Sequence, residues 1–228
     1  MATILFVMTG SDQWTLADGT KHPTGFWAEE FTAPYEALTA AGHEVVVATP
    51  GAVEPPVDQG SLATEANGGQ DNADHIAKVL EQAGTELRNP IDLAQADLAD
   101  YDAVFYPGGH GPMEDLAVNT DSGQLLSETL ASGKPLAVVC HAPAALLATG
   151  PDSPFRGYQV TGFTNTEETQ AGLADKAKWL LQDRLVNLGA EFSEGEPWAP
   201  NVVIDRNLYT GQNPASSAPL AQELLKAL

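Results

Sequence analysis

Four short apolar segments, each bounded by turn residues, punctuate the first 140 residues of the chain. They are TILFVMT (3–9), HEVVVAT (43–49), DAVFYP (102–107) and PLAVVC (135–140). Their apolar, β-branched and aromatic residues run together instead of alternating with polar ones, as is typical of strands buried on both faces of a parallel sheet. We therefore predict four parallel β-strands.

Segments with a helical spacing of apolar positions separate these strands, at residues 31–42, 73–84 and 122–133. Strand–helix alternation of this kind predicts an α/β fold, a doubly wound parallel sheet with helices on both faces. No linker rich in Pro, Gly or Ser interrupts the sequence and no fixed-period repeat occurs. Residues 1–228 are therefore expected to form a single domain.

The second half of the chain predicts further strands and two helices. The strands lie near residues 158–161, 202–204 and 208–210; a long amphipathic helix covers 175–188 and ends at Gly189; a last helix has Asn213 as N-cap and Pro214 as its first residue. Two long segments, 10–25 and 50–72, read as loops. Loops of this length in a compact domain are usually lids or binding elements.

The charge balance is strongly acidic, with 31 Asp and Glu residues against 10 Lys and Arg and a net charge of −21. Nucleic acid and anionic membrane are not expected as partners, because phosphate binding needs clustered Lys and Arg. The segment MATILFVMTG lacks a basic start, and its apolar run is too short for a signal peptide or membrane span. One cysteine cannot form an internal disulfide, so a reducing cytoplasm is expected.

Polar clusters follow the predicted strands; strand one leads to Thr9 and onward to the first of them. They are Glu29-Glu30, Gly108-Gly109-His110-Gly111, Cys140-His141, and the group Asn165, Glu167 and Glu168. In an open α/β sheet the ligand crevice lies outside the carboxyl ends of the strands. We therefore expect these clusters to meet at one edge of the sheet.

Cys140 lies at a sharp strand-to-helix switch, the position of a nucleophile elbow. A lone cysteine after an apolar strand is more often a buried structural residue, but the adjacent His141 favours a nucleophile. The N-terminus of the following helix is expected to favour the thiolate. No histidine lies beyond residue 141, so an assisting imidazole would be His141, oriented by a carboxylate such as Glu168, with His110 or His22 less favoured.

Two further features support chemistry at this edge. The backbone N–H groups of Gly109 and His141 are expected to form an oxyanion hole, although Gly108-Gly109 is also compatible with an ordinary tight turn. Glu29 and Glu30 precede a helix, where glutamates usually complement the helix dipole. One of them would alternatively act as a general acid/base, its pKa raised by apolar neighbours.

Four motifs resemble the ThiJ/PfpI superfamily, above all its branch of stress chaperones that act as glutathione-independent glyoxalases of the glyoxalase III type. They are TGFWAEE (24–30), YPGGHG (106–111), AVVCHAP (137–143) and TGQNPASS (210–217). The resemblance implies a flavodoxin-like fold, a dimer, and conversion of methylglyoxal to D-lactate without a cofactor. It also implies roles for four residues: Cys140 as nucleophile, His141 beside it, Glu30 as buried carboxylate, and Glu168, or its neighbour Glu167, as third triad member.

These expectations leave alternatives open. Trp14 and Trp27 are expected to wall the substrate cavity, or else to be ordinary core residues. A cysteine peptidase or amidase needs the same triad, and a holdase chaperone or redox sensor would use Cys140 through oxidation. No HxxxH or CxxC spacing favours a metal site. We expect a cytoplasmic homodimer that acts on a small aldehyde.

Overall fold

The computed structural model describes residues 1–228, and a seven-stranded sheet forms its centre. The strands are β1 Thr3–Val7, β2 Gln13–Thr15, β3 Lys21–Pro23, β4 Glu44–Thr49, β5 Ile91–Asp92, β6 Ala103–Tyr106, β7 Leu136–Val139, β8 Gln159–Val160, β9 Glu191–Phe192, β10 Val202–Asp205 and β11 Leu208–Gly211. The central sheet has the order β10-β11-β7-β6-β1-β4-β5. The four strands predicted in the first 140 residues are confirmed.

Eight α-helices accompany the strands. They are α1 Ala28–Ala40, α2 Gln70–Gln82, α3 Gly84–Arg88, α4 Gly111–Glu114, α5 Thr120–Ser132, α6 Asn165–Gln170, α7 Leu181–Leu188 and α8 Ser217–Ala227. The three helices predicted in the first half correspond to α1, α2 and α5. Asn213 caps a 3₁₀ turn, Pro214–Ser216, that leads into α8, so the predicted start of the last helix is confirmed. None of these helices has the length and apolar character needed to cross a bilayer.

The sheet is parallel except at one edge. Strands β6 and β7 are fully buried, in agreement with their unbroken apolar sequences. β10 runs antiparallel to β11 because the two are joined by a tight turn at Arg206-Asn207, where Arg206 has a φ of 57°. The predicted α/β fold is therefore confirmed, with an antiparallel strand added at one edge.

Two predictions in the second half are wrong in extent. The strand near 158–161 is only Gln159–Val160 and pairs with β9 outside the central sheet. The helix predicted over 175–188 begins only at Leu181, because the chain before it is held by a distant loop: the carbonyl of Lys176 accepts a hydrogen bond from the N–H of Ala17 at 2.8 Å. Gly189 ends this helix with a φ of 97°, as predicted.

One cluster of 49 buried apolar residues extends through the molecule on both sides of the sheet. Of the two predicted loops, residues 10–25 contain the β2–β3 hairpin, and residues 50–72 contain two 3₁₀ turns. Both segments lie over the carboxyl ends of the strands, where they contribute walls to a cavity. The prediction that residues 1–228 form a single domain stays a prediction.

Candidate active site

Cys140 occupies a strained turn immediately after β7. Its φ is 58°, a left-handed conformation that costs a residue with a Cβ of the order of 1–3 kcal/mol. Two backbone hydrogen bonds hold this turn: Cys140 donates to the carbonyl of Gly211 at 2.9 Å, and its own carbonyl accepts from Phe163 at 2.8 Å. The predicted elbow is confirmed. It places the thiol at the floor of a cavity while leaving only 4% of the residue exposed.

His141 connects the thiol to a carboxylate. Its Nδ1 lies 3.3 Å from the Cys140 sulfur, and its Nε2 lies 2.6 Å from Oε2 of Glu168. Glu168 lies in α6. The chain just before α6 is held next to Cys140, because the Phe163 N–H donates to the Cys140 carbonyl, and this brings Glu168 to His141. The structure therefore assembles Cys140, His141 and Glu168 in the order of a nucleophilic triad.

Protonation follows from burial and from this geometry. Burial, together with the neighbouring His110, lowers the pKa of His141 to about 4, so the ring is neutral near pH 7. Burial by itself would raise the pKa of Glu168, but His141 and His110 outweigh it and lower that pKa, so Glu168 stays ionised. An ionised carboxylate only accepts hydrogen bonds, so His141 carries its proton on Nε2 and offers the Nδ1 lone pair to the thiol.

Glu167 has a different role from its neighbour Glu168. It completes a capping box with Thr164 at the start of α6. Its Oε1 accepts hydrogen bonds from the Trp198 backbone and from the side-chain amides of Gln212 and Asn213. Glu167 thereby ties α6 to the TGQNPASS motif, whereas Glu168 faces the histidines.

Glu30 lies at the other side of the thiol, fully buried in the first turn of α1. Its Oε2 accepts a hydrogen bond from the Gly108 N–H at 2.7 Å, and its Oε1 is buried without a partner of regular geometry. Burial raises the pKa of the carboxyl to about 8, against the smaller lowering effect of its interactions with Cys140 and Gly108. Glu29 is half-buried and makes no such contact, so the two neighbouring glutamates have separate roles.

The expectation of a thiolate favoured by a helix N-terminus is wrong. Burial, followed by the nearby Glu30 carboxyl, raises the pKa of the Cys140 thiol well above its ordinary value. The segment after His141, Ala142–Thr149, is a 3₁₀ helix and not an α-helix. The thiol is therefore protonated at rest, and it needs a base at the moment of attack.

Gly108 and Gly109 are required for close packing around the thiol. A Cβ at Gly108 would lie 2.6 Å from Oε2 of Glu30 and 2.9 Å from the His141 nitrogen. Gly109 has a φ of 87°, and a Cβ there would lie 2.3 Å from the Gly25 carbonyl oxygen. The Gly109 N–H donates to the Cys140 sulfur and so lowers the thiol's pKa, against the larger effect of burial. The oxyanion hole of the Gly109 and His141 N–H groups stays a prediction.

A cavity of about 520 Å³ opens above Cys140. Trp27 forms part of its wall, as predicted. Trp14 does not: it is buried and stacks on the far side of His110, with ring centroids 4.7 Å apart. Two other aromatic residues in the wall, Phe163 and Trp198, have no sequence signal, because loops far along the chain bring them to the cavity.

His110, less favoured than His141 as the imidazole that assists the thiol, lies beside His141 in the structure. Its Nε2 lies 2.9 Å from Oε1 of Glu168, and its ring lies 4.0 Å from that of His141. The signal was present, because GGHG directly follows a strand. His110, His141 and Glu168 each bring one ligand atom within 4.8 Å of the others, a set able to hold a metal ion, although both imidazoles here hydrogen-bond the carboxylate.

Comparison with known proteins places this site in context. The model of the DJ-1/PfpI family matches residues 23–227. The chain is 31% identical to the protein/nucleic acid deglycase HchA of Pseudomonas aeruginosa, over 99% of this chain and 80% of that protein. It is 33% identical to the bovine (Bos taurus) glutamine amidotransferase-like class 1 domain-containing protein 1, over 82% of each.

Solved structures give the same picture of the fold. The 24-kDa rapid encystment protein of Francisella tularensis superimposes with a TM-score of 0.87 at 29% identity, over 100% of this chain and 99% of that one. Glyoxalase III from Candida albicans superimposes with a TM-score of 0.86 at 24% identity, over 100% of this chain and 97% of that one. At that identity the second likeness shows a shared fold.

Proposed function

Because the chain belongs to the DJ-1/PfpI family, we propose that it is a glutathione-independent glyoxalase with Cys140 as nucleophile. It converts 2-oxoaldehydes such as methylglyoxal into 2-hydroxy acids such as D-lactate. The observation that carries this proposal is the position of the thiol between two proton carriers of different kinds: a neutral imidazole backed by an ionised carboxylate, and a buried carboxyl with a pKa of about 8.

The first step is addition of sulfur to the aldehyde carbon. His141 Nδ1 takes the thiol proton, and the ionised Glu168 stabilises the imidazolium that results. Glu30, protonated below about pH 8, donates its proton to the aldehyde oxygen. The product is a neutral hemithioacetal on Cys140, with Glu30 now ionised and ready to act as a base.

The second step moves a hydrogen between the two substrate carbons. Ionised Glu30 removes the proton from the former aldehyde carbon while His141 protonates the ketone oxygen, which gives an enediol. Glu30 then delivers its proton to the second carbon and takes the proton of the hydroxyl on the sulfur-bearing carbon. The result is a 2-hydroxyacyl thioester on Cys140. A carboxyl with a pKa near 8 suits this exchange, because it accepts and donates a proton at similar cost near neutral pH.

The third step is hydrolysis of the thioester, which regenerates the thiol and releases the 2-hydroxy acid. The net reaction adds one water to the 2-oxoaldehyde, so it needs no net oxidant or reductant. The same proposal holds that the enzyme needs no cofactor, forms a homodimer and works in the cytoplasm.

The size of the cavity favours deglycation as a second activity. A volume of about 520 Å³ is within the usual range for drug-sized ligands and exceeds what a three-carbon aldehyde needs. A 2-oxoaldehyde adduct on an amine or thiol side chain presents the same two carbons to Cys140, and the HchA relative is named a deglycase. The net charge of −21 disfavours glycated nucleic acid as a substrate.

Incubation with methylglyoxal alone, without glutathione, tests the proposal. We expect the enzyme to release lactate, measured with stereospecific lactate dehydrogenases, and we expect the D-isomer. The Cys140→Ala variant should release none while unfolding cooperatively at a similar temperature. Lactate formation that persists in that variant, or no lactate from the wild type, contradicts the proposal.

A further inference from the structure

His110 has one nitrogen engaged and the other free. Its Nε2 donates to Oε1 of the ionised Glu168 at 2.9 Å. Its Nδ1 makes no hydrogen bond with the protein and is not among the buried, unpartnered atoms. The side chain is 13% exposed and lines the cavity above Cys140. The ring therefore presents a lone pair on Nδ1 to the space that substrate and water enter.

The other cavity histidines do not offer this combination. His141 uses both nitrogens, one for Glu168 and one for the Cys140 sulfur. His22 also lines the cavity and meets His110 edge-on, with ring centroids 6.2 Å apart, but it does not contact Glu168. Trp14 stacks on the His110 ring, and the tilted ring of His141 packs 4.0 Å from it, so these two aromatic neighbours fix the plane of the His110 ring.

We propose that His110 and Glu168 form a second dyad, in which His110 Nδ1 is the general base that activates water against the Cys140 thioester. The inference rests on the proposed glyoxalase function and assigns its last step. The oxygen of water bonds to the acyl carbon while Nδ1 takes one of its protons. The carbon–sulfur bond then breaks with its electron pair on sulfur, and His110 gives up the proton as the thiol is re-formed. The 2-hydroxy acid ionises into solvent.

The geometry explains why His141 would serve the sulfur and His110 the water. While the acyl group occupies the sulfur, His141 stays directed at the Cys140 sulfur. Water must approach the acyl carbon from the cavity side, where His110 lies. Glu168, with one oxygen on each ring, orients both bases and stabilises whichever imidazolium forms.

The His110→Gln variant tests whether His110 acts as a base or only holds Glu168 in position. The glutamine amide still donates a hydrogen bond to Glu168, but it cannot accept a proton at neutral pH. We expect rapid consumption of one equivalent of methylglyoxal, which acylates Cys140, followed by a steady rate of lactate release lower by about 10²–10⁴-fold, the usual loss for a general base. In rapid-quench samples, intact-mass measurement should find one methylglyoxal equivalent on Cys140, stable to acid and released by hydroxylamine, as a thioester is and a hemithioacetal is not.

His22→Asn is the matched control from the same cavity, and it should accumulate no hydroxylamine-sensitive adduct. A His110→Ala variant provides a second test, because added imidazole should restore thioester hydrolysis in the space that the missing ring leaves. If wild type makes lactate and His110→Gln folds yet accumulates no thioester, His110 is not the base. If the Gln variant does not fold, failure of imidazole to accelerate His110→Ala overturns the inference. Absence of lactate from wild type instead refutes the glyoxalase function itself.

Discussion

Replacement of Glu30 by Gln should raise stability at high pH and abolish efficient turnover. The pKa of this carboxyl rises from 4.5 to about 8 on folding, chiefly through burial. Between those values the folded protein keeps the proton while the unfolded chain has lost it. The wild type therefore loses stability as pH rises through this window, and the loss is complete above the folded pKa.

The magnitude follows from the size of the shift. Each pKa unit corresponds to about 1.4 kcal/mol, so a rise of three to four units costs wild type roughly 4–5 kcal/mol at pH 9 relative to pH 4. Glutamine has the same shape, does not ionise, and retains an oxygen for the N–H of Gly108. The Glu30→Gln variant should thus match wild type near pH 4 and exceed it in stability by roughly 4–5 kcal/mol at pH 9.

Urea unfolding followed by circular dichroism at several pH values measures this difference, because titrating groups that do not contact Glu30 cancel between the two proteins. Turnover of methylglyoxal should fall by about 10²–10⁴-fold in the variant. Glu29→Gln is the matched control, since Glu29 is only half-buried and does not contact the thiol; its effects on both measurements should be small. A stability difference that does not change with pH would refute the assignment of a raised Glu30 pKa, and near-normal turnover would refute its catalytic role.

Three further predictions concern the neighbours of Glu30. Glu168→Gln should lower turnover by at least 10²-fold, because it removes the carboxylate that both histidines contact, whereas Glu167→Gln should lower the unfolding temperature, because that carboxylate anchors three separate donors; near-normal turnover in Glu168→Gln would contradict the assignment. Gly109→Ala should destabilise the fold by roughly 2 kcal/mol or more in urea unfolding, because the residue has a φ of 87° and its Cβ would meet the Gly25 carbonyl; full stability would show that the turn relaxes. Cys140 should react with iodoacetamide at pH 7 more slowly than a free thiol, followed by intact mass, because its pKa is raised; fast alkylation would indicate a resting thiolate.

The sequence by itself determined the sheet and the place of the site on it. Unbroken apolar segments require burial on both faces, and in parallel strands this brings every carboxyl end to one edge. Cys140 and Gly109 are found in this way, because each directly follows a predicted strand, whereas the choice of Glu30 over Glu29 and of Glu168 over Glu167 comes from the resemblance to the ThiJ/PfpI superfamily. The strained φ of Cys140 follows from the same local switch in direction.

Tertiary structure alone decided the extent of the second half and the electrostatics of the site. The helix predicted from residue 175 starts at Leu181 because a loop more than 150 residues earlier takes the Lys176 carbonyl. The spacing of apolar residues in a segment carries no information about a hydrogen bond to so distant a partner.

The protonation states depend on tertiary structure for a similar reason. A pKa reflects everything packed around a group, and the neighbours of Cys140 come from α1, the GGHG turn and α6. The sequence showed a cysteine before a helical segment and suggested a thiolate, whereas burial beside Glu30 gives a thiol. The contact of His110 with Glu168 could not be predicted because the two residues lie 58 positions apart, and only the folded chain places two imidazoles on the two oxygens of one carboxylate.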